Sequence, residues 1–146
     1  MKTLFALTLA LTTFASAQAA PVLQAVRNPG FERFPQKKTF TLDSSGKMTR
    51  EIRDFRENTT TVENLGQLTK AGLAQIMKQV ERLDMNDKLV DPKEGTPQCT
   101  DTPSYSTTVF KDGQAKEIYR SAGCHTWILE NRSDGTLNDF AMTMLF

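Results

Sequence analysis

The segment YSTTVFKDGQAKEIY, residues 105–119, decides the fold class. Polar and apolar side chains alternate on both sides of Asp112-Gly113, and a period of two is typical of a half-buried strand. Asp-Gly between two such runs is a strong signal for a tight hairpin. A turn at residues 111–113 would pair Phe110 with Gln114. The segment therefore predicts an antiparallel hairpin.

A second hairpin, a further strand and a helix precede this segment. Residues 38–56 read as two strands joined by the turn cluster at residues 43–46, and residues 59–62 are rich in β-branched side chains that favour a third strand. An amphipathic helix follows, with Thr69 as its N-cap. Its apolar stripe recurs at helical spacing and consists of Leu73, Ile76, Met77, Val80 and Leu83.

The two ends of the mature chain are less regular. Residues 20–36 contain three prolines, which predict an irregular arm lying over the core. The apolar residues in 137–146 favour a short helix with Thr136 as candidate cap, although they also alternate as a strand would. The sum is an α+β fold, an antiparallel sheet of four to six strands with one main amphipathic helix packed on it and a short C-terminal helix.

The N-terminus has the features of a secretory signal peptide. Lys2 supplies the positive charge, residues 4–14 form an apolar run, and the small residues that follow allow cleavage after Ala17 or Ala19. We favour Ala19, which makes residues 1–19 the signal peptide. The protein is therefore predicted to be periplasmic or secreted.

Residues 20–146 have a length typical of one domain. They lack the single lysine of the signal peptide, so they carry 17 basic and 17 acidic side chains. This balance argues against nucleic acid as a partner, because nucleic-acid binders usually carry a basic excess. No further apolar run of about 18 residues occurs, so no integral membrane segment is expected.

The chain has two cysteines, Cys99 and Cys124. An even number of cysteines in an exported chain indicates a disulfide, because the compartments outside the cytoplasm are oxidising. The register of the predicted hairpin places the two cysteines opposite each other or one residue apart. Neighbouring strands bring opposite Cα atoms within the span of a disulfide, so a structural bridge is predicted.

Two chemical roles for Cys124 compete with the bridge. As a nucleophile it would need a base, but adjacent side chains of a strand point to opposite faces, which places His125 out of reach. As a zinc ligand it would have at most Cys99 and His125 beside it, without the usual ligand spacing. We therefore expect no metal, no cofactor and no catalytic residue.

His125 and Trp127 would share one face of a strand. In one interpretation they form a small recognition surface with Tyr105 or Tyr119, because exposed aromatic side chains are enriched at interfaces. In the simpler interpretation Trp127 caps the core while His125 lies at the surface. A Ser-His-Asp triad would have to use His125, the only histidine, and no motif around a serine supports one.

At the helix, loop and hairpin the chain resembles a group of small bacterial exported domains of unknown function. The shared pattern, within residues 65–130, is a helix ending near Leu83, the sequence DTPSY at residues 101–105, the hairpin strand KDGQAKEI at residues 111–118, and Gly123-Cys124. The resemblance implies an exported α+β domain. It carries no known activity, so it transfers no catalytic residue.

These observations predict an exported, non-catalytic binding module, protein-binding or inhibitory, whose partner is another exported or envelope protein. A monomer is expected. The expected contact regions are the loop at residues 84–103 and the hairpin end around Tyr105, His125 and Trp127. The alternatives are a small secreted hydrolase that uses His125, and a small-ligand carrier.

Overall fold

A computed structural model describes residues 18–93, 95, 99 and 101–146. The predicted signal peptide lies almost wholly outside these residues. The elements, in chain order, are β1 (Pro21–Asn28), β2 (Gln36–Asp43), β3 (Lys47–Asp54), β4 (Thr59–Gln67), α1 (Lys70–Arg82), β5 (Leu89–Val90), β6 (Ser104–Lys111), β7 (Gln114–Ala122), β8 (His125–Leu129) and α2 (Leu137–Leu145).

The eight strands form one antiparallel sheet in the order β4-β3-β2-β1-β6-β7-β8-β5. It consists of two meanders, because β1 to β4 are successive neighbours and so are β6 to β8. The pairing of β1 with β6 joins the two meanders, with Leu23 opposite Val109 and Ala25 opposite Thr107. The nine-residue strand β4 and the two-residue strand β5 form the two edges of the sheet.

The prediction of four to six strands with one main helix is wrong. The sheet has eight strands, and the two helices that cover it are both short. The largest difference is β1, a central strand that lies where the sequence predicts an irregular arm. Pro21 is compatible with a strand because it is the first residue, where no ladder hydrogen bond is needed from its nitrogen. A bulge next to it buries both Val22 and Leu23, which interrupts the alternation that would have revealed the strand.

The C-terminal helix, not the larger amphipathic helix, covers the joint between the two meanders. Helix α2 contacts β1, β2 and β6, and it buries Leu137, Ala141 and Leu145 along one stripe. The ring of Phe140 packs edge-on against Phe40 of β2 at 6.0 Å. The helical interpretation of residues 137–146 is therefore confirmed over Leu137–Leu145.

Helix α1 lies beside α2 and contacts β6. Its N-cap is Thr69, as the sequence predicts, and the Thr69 hydroxyl accepts a hydrogen bond from the Gly72 amide at 3.1 Å. The Gln79 side chain links the two helices, because its Oε1 accepts from both the amide and the hydroxyl of Thr136 at 2.9 Å. The Thr136 hydroxyl is thus directed at α1 and makes no capping bond within α2.

The hairpin at residues 105–119 is confirmed, with a tighter turn than the sequence suggests. Lys111 pairs with Gln114, so Asp112 and Gly113 alone form the turn, with φ of +50° and +74°. Left-handed conformations at both turn residues match the right-handed twist of the strands. Gly113 adopts this conformation at no steric cost.

The helices lie on one face of the sheet, the helix-covered face. Cross-strand partners point to the same side, so Ala25, Phe40 and Thr107 belong to this face, and the Thr107 hydroxyl donates to Asn138 of α2 at 2.7 Å. The opposite face is called the open face below. No helix among the described residues is long and apolar enough to cross a membrane.

Leu23 and Phe31 provide a test of the position of β1, because both lie in the predicted arm. Leu23 is completely buried, whereas 90% of Phe31 is exposed. We expect Leu23→Ala to lower the free energy of unfolding by roughly 2–5 kcal/mol, because it leaves a cavity in the core. Phe31→Ala, the control, should change it by about 0.5 kcal/mol or less. Urea unfolding measures both, and equal small effects would mean that β1 is peripheral.

Candidate functional site

The predicted disulfide is present between Cys99 and Cys124, whose Cα atoms are 5.1 Å apart. It joins the end of the loop at residues 84–103 to the turn between β7 and β8, and both cysteines are exposed. Gly123 lies in this turn with φ of +63°, and a Cβ atom there would overlap the backbone carbonyl of Cys99. A glycine is therefore required next to the bridge for steric as well as conformational reasons.

His125, the residue after the bridge, is buried, with 5% of its surface exposed. This differs from the surface position that the simpler interpretation gives it. Its Nδ1 donates a hydrogen bond to the carboxylate of Asp91, the residue that directly follows β5. This hydrogen bond holds the pKa of the Asp91 carboxyl below its ordinary value. The pair fixes the loop against the start of β8.

The three residues of the predicted recognition surface do not meet. The rings of His125 and Trp127 stack at 5.7 Å on the open face, and the Arg120 guanidinium lies 6.0 Å from the Trp127 ring. Tyr105 pairs with Ser121, and Ser121 pairs with Thr126, which lies between His125 and Trp127 in sequence. Paired residues share a face and successive residues alternate, so Tyr105 points to the helix-covered face, where it packs against Phe146 at 5.8 Å. His125 and Trp127 are thus together, and Tyr105 is apart from them. A recognition role for these residues stays a prediction.

Asp87 fastens the same loop to the segment between β8 and α2. Only 2% of Asp87 is exposed, and its carboxylate accepts hydrogen bonds from the amide and side chain of Asn131 at 3.0 and 3.2 Å. It also accepts from the amide and hydroxyl of Ser133 at 3.3 and 2.8 Å. Burial by itself would raise the pKa of Asp87, but the four hydrogen bonds outweigh it and the pKa lies below its ordinary value. The first part of the predicted contact loop is therefore held to the domain by two aspartates.

A second surface lies where the β1–β2 loop meets the β3–β4 turn. Phe34 and Phe55 are exposed there by 57% and 46%, and Phe31, three residues before Phe34 in the same loop, is exposed by 90%. Arginine guanidinium groups lie over two of these rings, at distances of 5.2 to 5.6 Å from the ring centroids. We call this group the aromatic–arginine surface; it consists of Phe31, Phe34, Phe55, Arg33, Arg53 and Arg56.

Hydrogen bonds hold the two segments of the aromatic–arginine surface together. The Phe55 amide donates to the carbonyl of Pro35 at 3.1 Å, and Gln36 Nε2 donates to Asp54 Oδ2 at 3.0 Å. The other oxygen of Asp54 accepts from the amides of Arg56 and Glu57 at 2.9 and 3.0 Å. The Gln36 bond is the largest cause of a lowered pKa at Asp54. These bonds fix residues 35–36 of the loop to the turn, so Phe34 and Phe55 are presented on an organised backbone.

The periodicity and turn patterns of the sequence do not predict this surface. Twenty residues separate Arg33-Phe34 from Phe55-Arg56 in sequence, and the pairing of β2 with β3 brings them together. One signal was available in the sequence, namely that two separate loop segments each combine phenylalanine with arginine. Both residue types are enriched at the centres of interfaces.

A cleft of about 430 Å³ lies between α2 and strands β7 and β8. It is open to solvent, and its lining includes Arg132, Asp134, Asn138 and Asp139. Burial raises the pKa of Asp134, the least exposed of these carboxyls. Open, polar walls differ from the enclosed and mostly apolar pockets that hold small apolar ligands.

The chain matches no protein-family model, and no curated protein sequence matches it. Over the part of the chain that the structure describes, no group of three or more histidine, cysteine and carboxylate side chains is arranged to hold a metal ion. The candidate sites therefore rest on geometry alone.

The disulfide leads to a prediction about stability. Its cysteines are 25 residues apart, and closing a loop of this length in the unfolded chain corresponds to roughly 3–4 kcal/mol. The double variant Cys99→Ser/Cys124→Ser should lose about this amount, as measured by denaturant unfolding against the oxidised wild type. Mass spectrometry of protein taken from the export compartment should first show one intramolecular bridge. Two free thiols in that sample would contradict the structure.

Asp87 leads to a prediction about acid stability. Asp87→Asn keeps the shape of the side chain but replaces an accepting oxygen by an NH₂ group, which then faces the donors of Asn131 and Ser133. The substitution should lower the free energy of unfolding by roughly 1.5–3 kcal/mol at neutral pH. Because the folded pKa is depressed, the contribution of Asp87 is complete above the unfolded pKa of about 3.9 and is lost as pH falls through the folded pKa. The variant should therefore show a smaller loss of stability below pH 4 than the wild type.

The matched control is Asp84→Asn in the same loop. Asp84 is exposed, and its carboxylate accepts a hydrogen bond from the Asn86 amide at 2.8 Å. Its substitution should change stability by about 0.5 kcal/mol or less. Equal effects of the two substitutions would show that Asp87 does not anchor the loop.

Proposed function

We propose that the chain is an exported, non-catalytic module that binds a protein partner through the aromatic–arginine surface. The observation that carries the proposal is the exposure of Phe34 and Phe55 on segments that hydrogen bonds hold together, with the Arg56 guanidinium, next to Phe55 in sequence, lying over the Phe34 ring. Phe31, in the same loop as Phe34, is exposed as well. Isolated exposed apolar side chains are normal, but a contiguous group rimmed by polar side chains marks an interaction site. Inhibition of a secreted enzyme is one form that such binding can take.

The composition of the surface favours a protein as the partner. Aromatic and arginine side chains dominate the few residues that supply most of the binding energy at protein interfaces. Full burial of one phenylalanine side chain contributes roughly 1.5–3 kcal/mol. The arginines can stack on partner groups and form paired hydrogen bonds with partner carboxylates. An anchored backbone also lowers the entropy that is lost on binding.

Export of the module is supported by two observations. The Cys99–Cys124 disulfide is compatible with an oxidising compartment outside the cytoplasm. The first strand begins at Pro21, so the predicted cleavage after Ala19 would leave the sheet intact. The signal peptide itself remains a prediction from the sequence.

The Asp91–His125 pair is the observation that favours the alternative of a small hydrolase, because a carboxylate can orient a histidine as general base. The pair is nearly buried, however, so a substrate could not reach the imidazole without movement of the loop. The pair is better explained as a structural link beside the disulfide. The open and polar cleft next to α2 gives the carrier alternative equally little support.

The double variant Phe31→Ser/Phe34→Ser tests the proposal. The immobilised wild-type chain should capture a partner from the exported protein fraction of the producing cell. Titration calorimetry with that purified partner should then show at least a roughly 30-fold loss of affinity in the double variant, the loss expected when hot-spot side chains are removed. Because both side chains are exposed, the fold should be retained, which circular dichroism and thermal unfolding can verify.

Phe146→Ser is the matched control. Phe146 is 64% exposed, packs on Tyr105 and is not one of the six residues of the aromatic–arginine surface. Phe146→Ser removes the same type of side chain outside the defined surface. This variant should therefore bind the partner with the affinity of the wild type. A folded double variant that binds the partner as tightly as the wild type does would rule out this surface as the binding site.

A further inference from the structure

The two edges of the sheet differ in how they are protected. At one edge, β5 is only two residues long, and the loop after it is tied down by the Asp91–His125 pair. At the other edge, β4 runs for nine residues, of which all but Leu65 are exposed. A long edge strand presents a row of backbone donors and acceptors that can pair with another strand.

The first six residues of β4 also lack most of the features that usually prevent such pairing. Residues 59–64, TTTVEN, contain no proline and no lysine, and they include four β-branched side chains. Glu63 is the one charged residue, and its carboxylate accepts a hydrogen bond from Arg50 Nε at 2.7 Å. The bulge in β4 lies beyond this segment, between the residues that pair with Met48 and Thr49, so residues 59–64 keep a regular register with β3.

We propose that two copies of the chain pair antiparallel through their β4 strands and form one continuous sheet of sixteen strands. This inference is independent of the aromatic–arginine surface. It differs from the monomer that the sequence predicts, and the experiment below distinguishes the two.

Symmetry and charge select the register. In an antiparallel dimer of this kind the two-fold axis is perpendicular to the sheet. Directly paired residues point to the same face, so the axis must lie between one residue and its own copy. An axis at Val62 places Val62 opposite its own copy and Thr61 opposite Glu63. Val62 is 66% exposed in the single chain, so this register buries the most exposed apolar side chain of β4. An axis at Glu63 would instead oppose two carboxylates, which is destabilising.

The same geometry explains why the assembly would close at two copies. A head-to-tail assembly would require β4 of one chain to pair with β5 of the next, and the two residues of β5 cannot support such pairing. The contact between identical β4 strands uses each long edge once. The expected product is therefore a dimer and not a filament.

Sedimentation velocity tests the proposal on the wild-type chain and on Val62→Lys. The wild type should sediment as a dimer. Val62→Lys opposes two ammonium groups at the two-fold axis and should raise the dimer dissociation constant by roughly tenfold or more. Val90→Lys makes the same change on the other sheet edge and should leave the dimer unchanged, provided that circular dichroism shows it to be folded.

Cysteine cross-linking tests the register. In Val62→Cys the two new thiols would lie on directly opposed residues, with Cβ atoms about 4.5–5.5 Å apart, so a short bifunctional thiol reagent should join the two chains. In Thr59→Cys they would be separated by six residue steps, or about 20 Å, and should not be joined. A wild-type chain that stays monomeric at its highest soluble concentration overturns the proposal. Cross-linking of Thr59→Cys in place of Val62→Cys also overturns it.

Discussion

The pairing of β1 with β6 is the constraint on which the rest of the structure depends. It joins the meander β1–β4 to the meander β6–β8 across 76 to 86 residues of sequence, and it places Leu23 and Ala25 in the centre of the core. Helix α2, which is last in the chain, covers this joint by packing on β1, β2 and β6. The central sheet therefore forms only when β1 and β6, which are far apart in sequence, have met, and this implies slow, non-local folding.

Stability and binding capacity are distributed differently over this sheet. The fully buried side chains of the sheet lie on β1, β2 and β6 to β8, and they pack with buried residues of the two helices. Strand β3 buries Met48 alone and β4 buries no side chain, and the exposed phenylalanines lie at the turn between these strands and in the neighbouring loop. Segments with few buried contacts are free to serve recognition, because substitution there changes the core little. Both proposed interaction sites belong to this outer part.

Local signals in the sequence predicted the local elements, and long-range pairing hid the rest. The Asp112-Gly113 hairpin, the Thr69-capped helix and the Cys99–Cys124 bridge depend on patterns that are short or lie within one hairpin, and all three are present. The sequence does not predict strand β1, because its pairing with β2 and β6 cannot be read from neighbouring residues and its bulge disrupts the alternation of polar and apolar side chains. The aromatic–arginine surface was missed for a related reason, since its segments meet only through the register of β2 with β3.

The two proposed interactions have a joint consequence for the kind of partner that fits. In a dimer paired about Val62, the two copies of Thr59 would lie about 20 Å apart at opposite ends of the shared edge. Each β3–β4 turn continues outward from Thr59, so the two aromatic–arginine surfaces would be farther apart still and related by the two-fold axis. A single small partner could not contact both. A partner that is itself two-fold or repetitive could, and the second contact would then form at a high effective concentration. Modest affinity at each surface would suffice for tight binding to such an exported or envelope assembly, which is consistent with the small size of each surface.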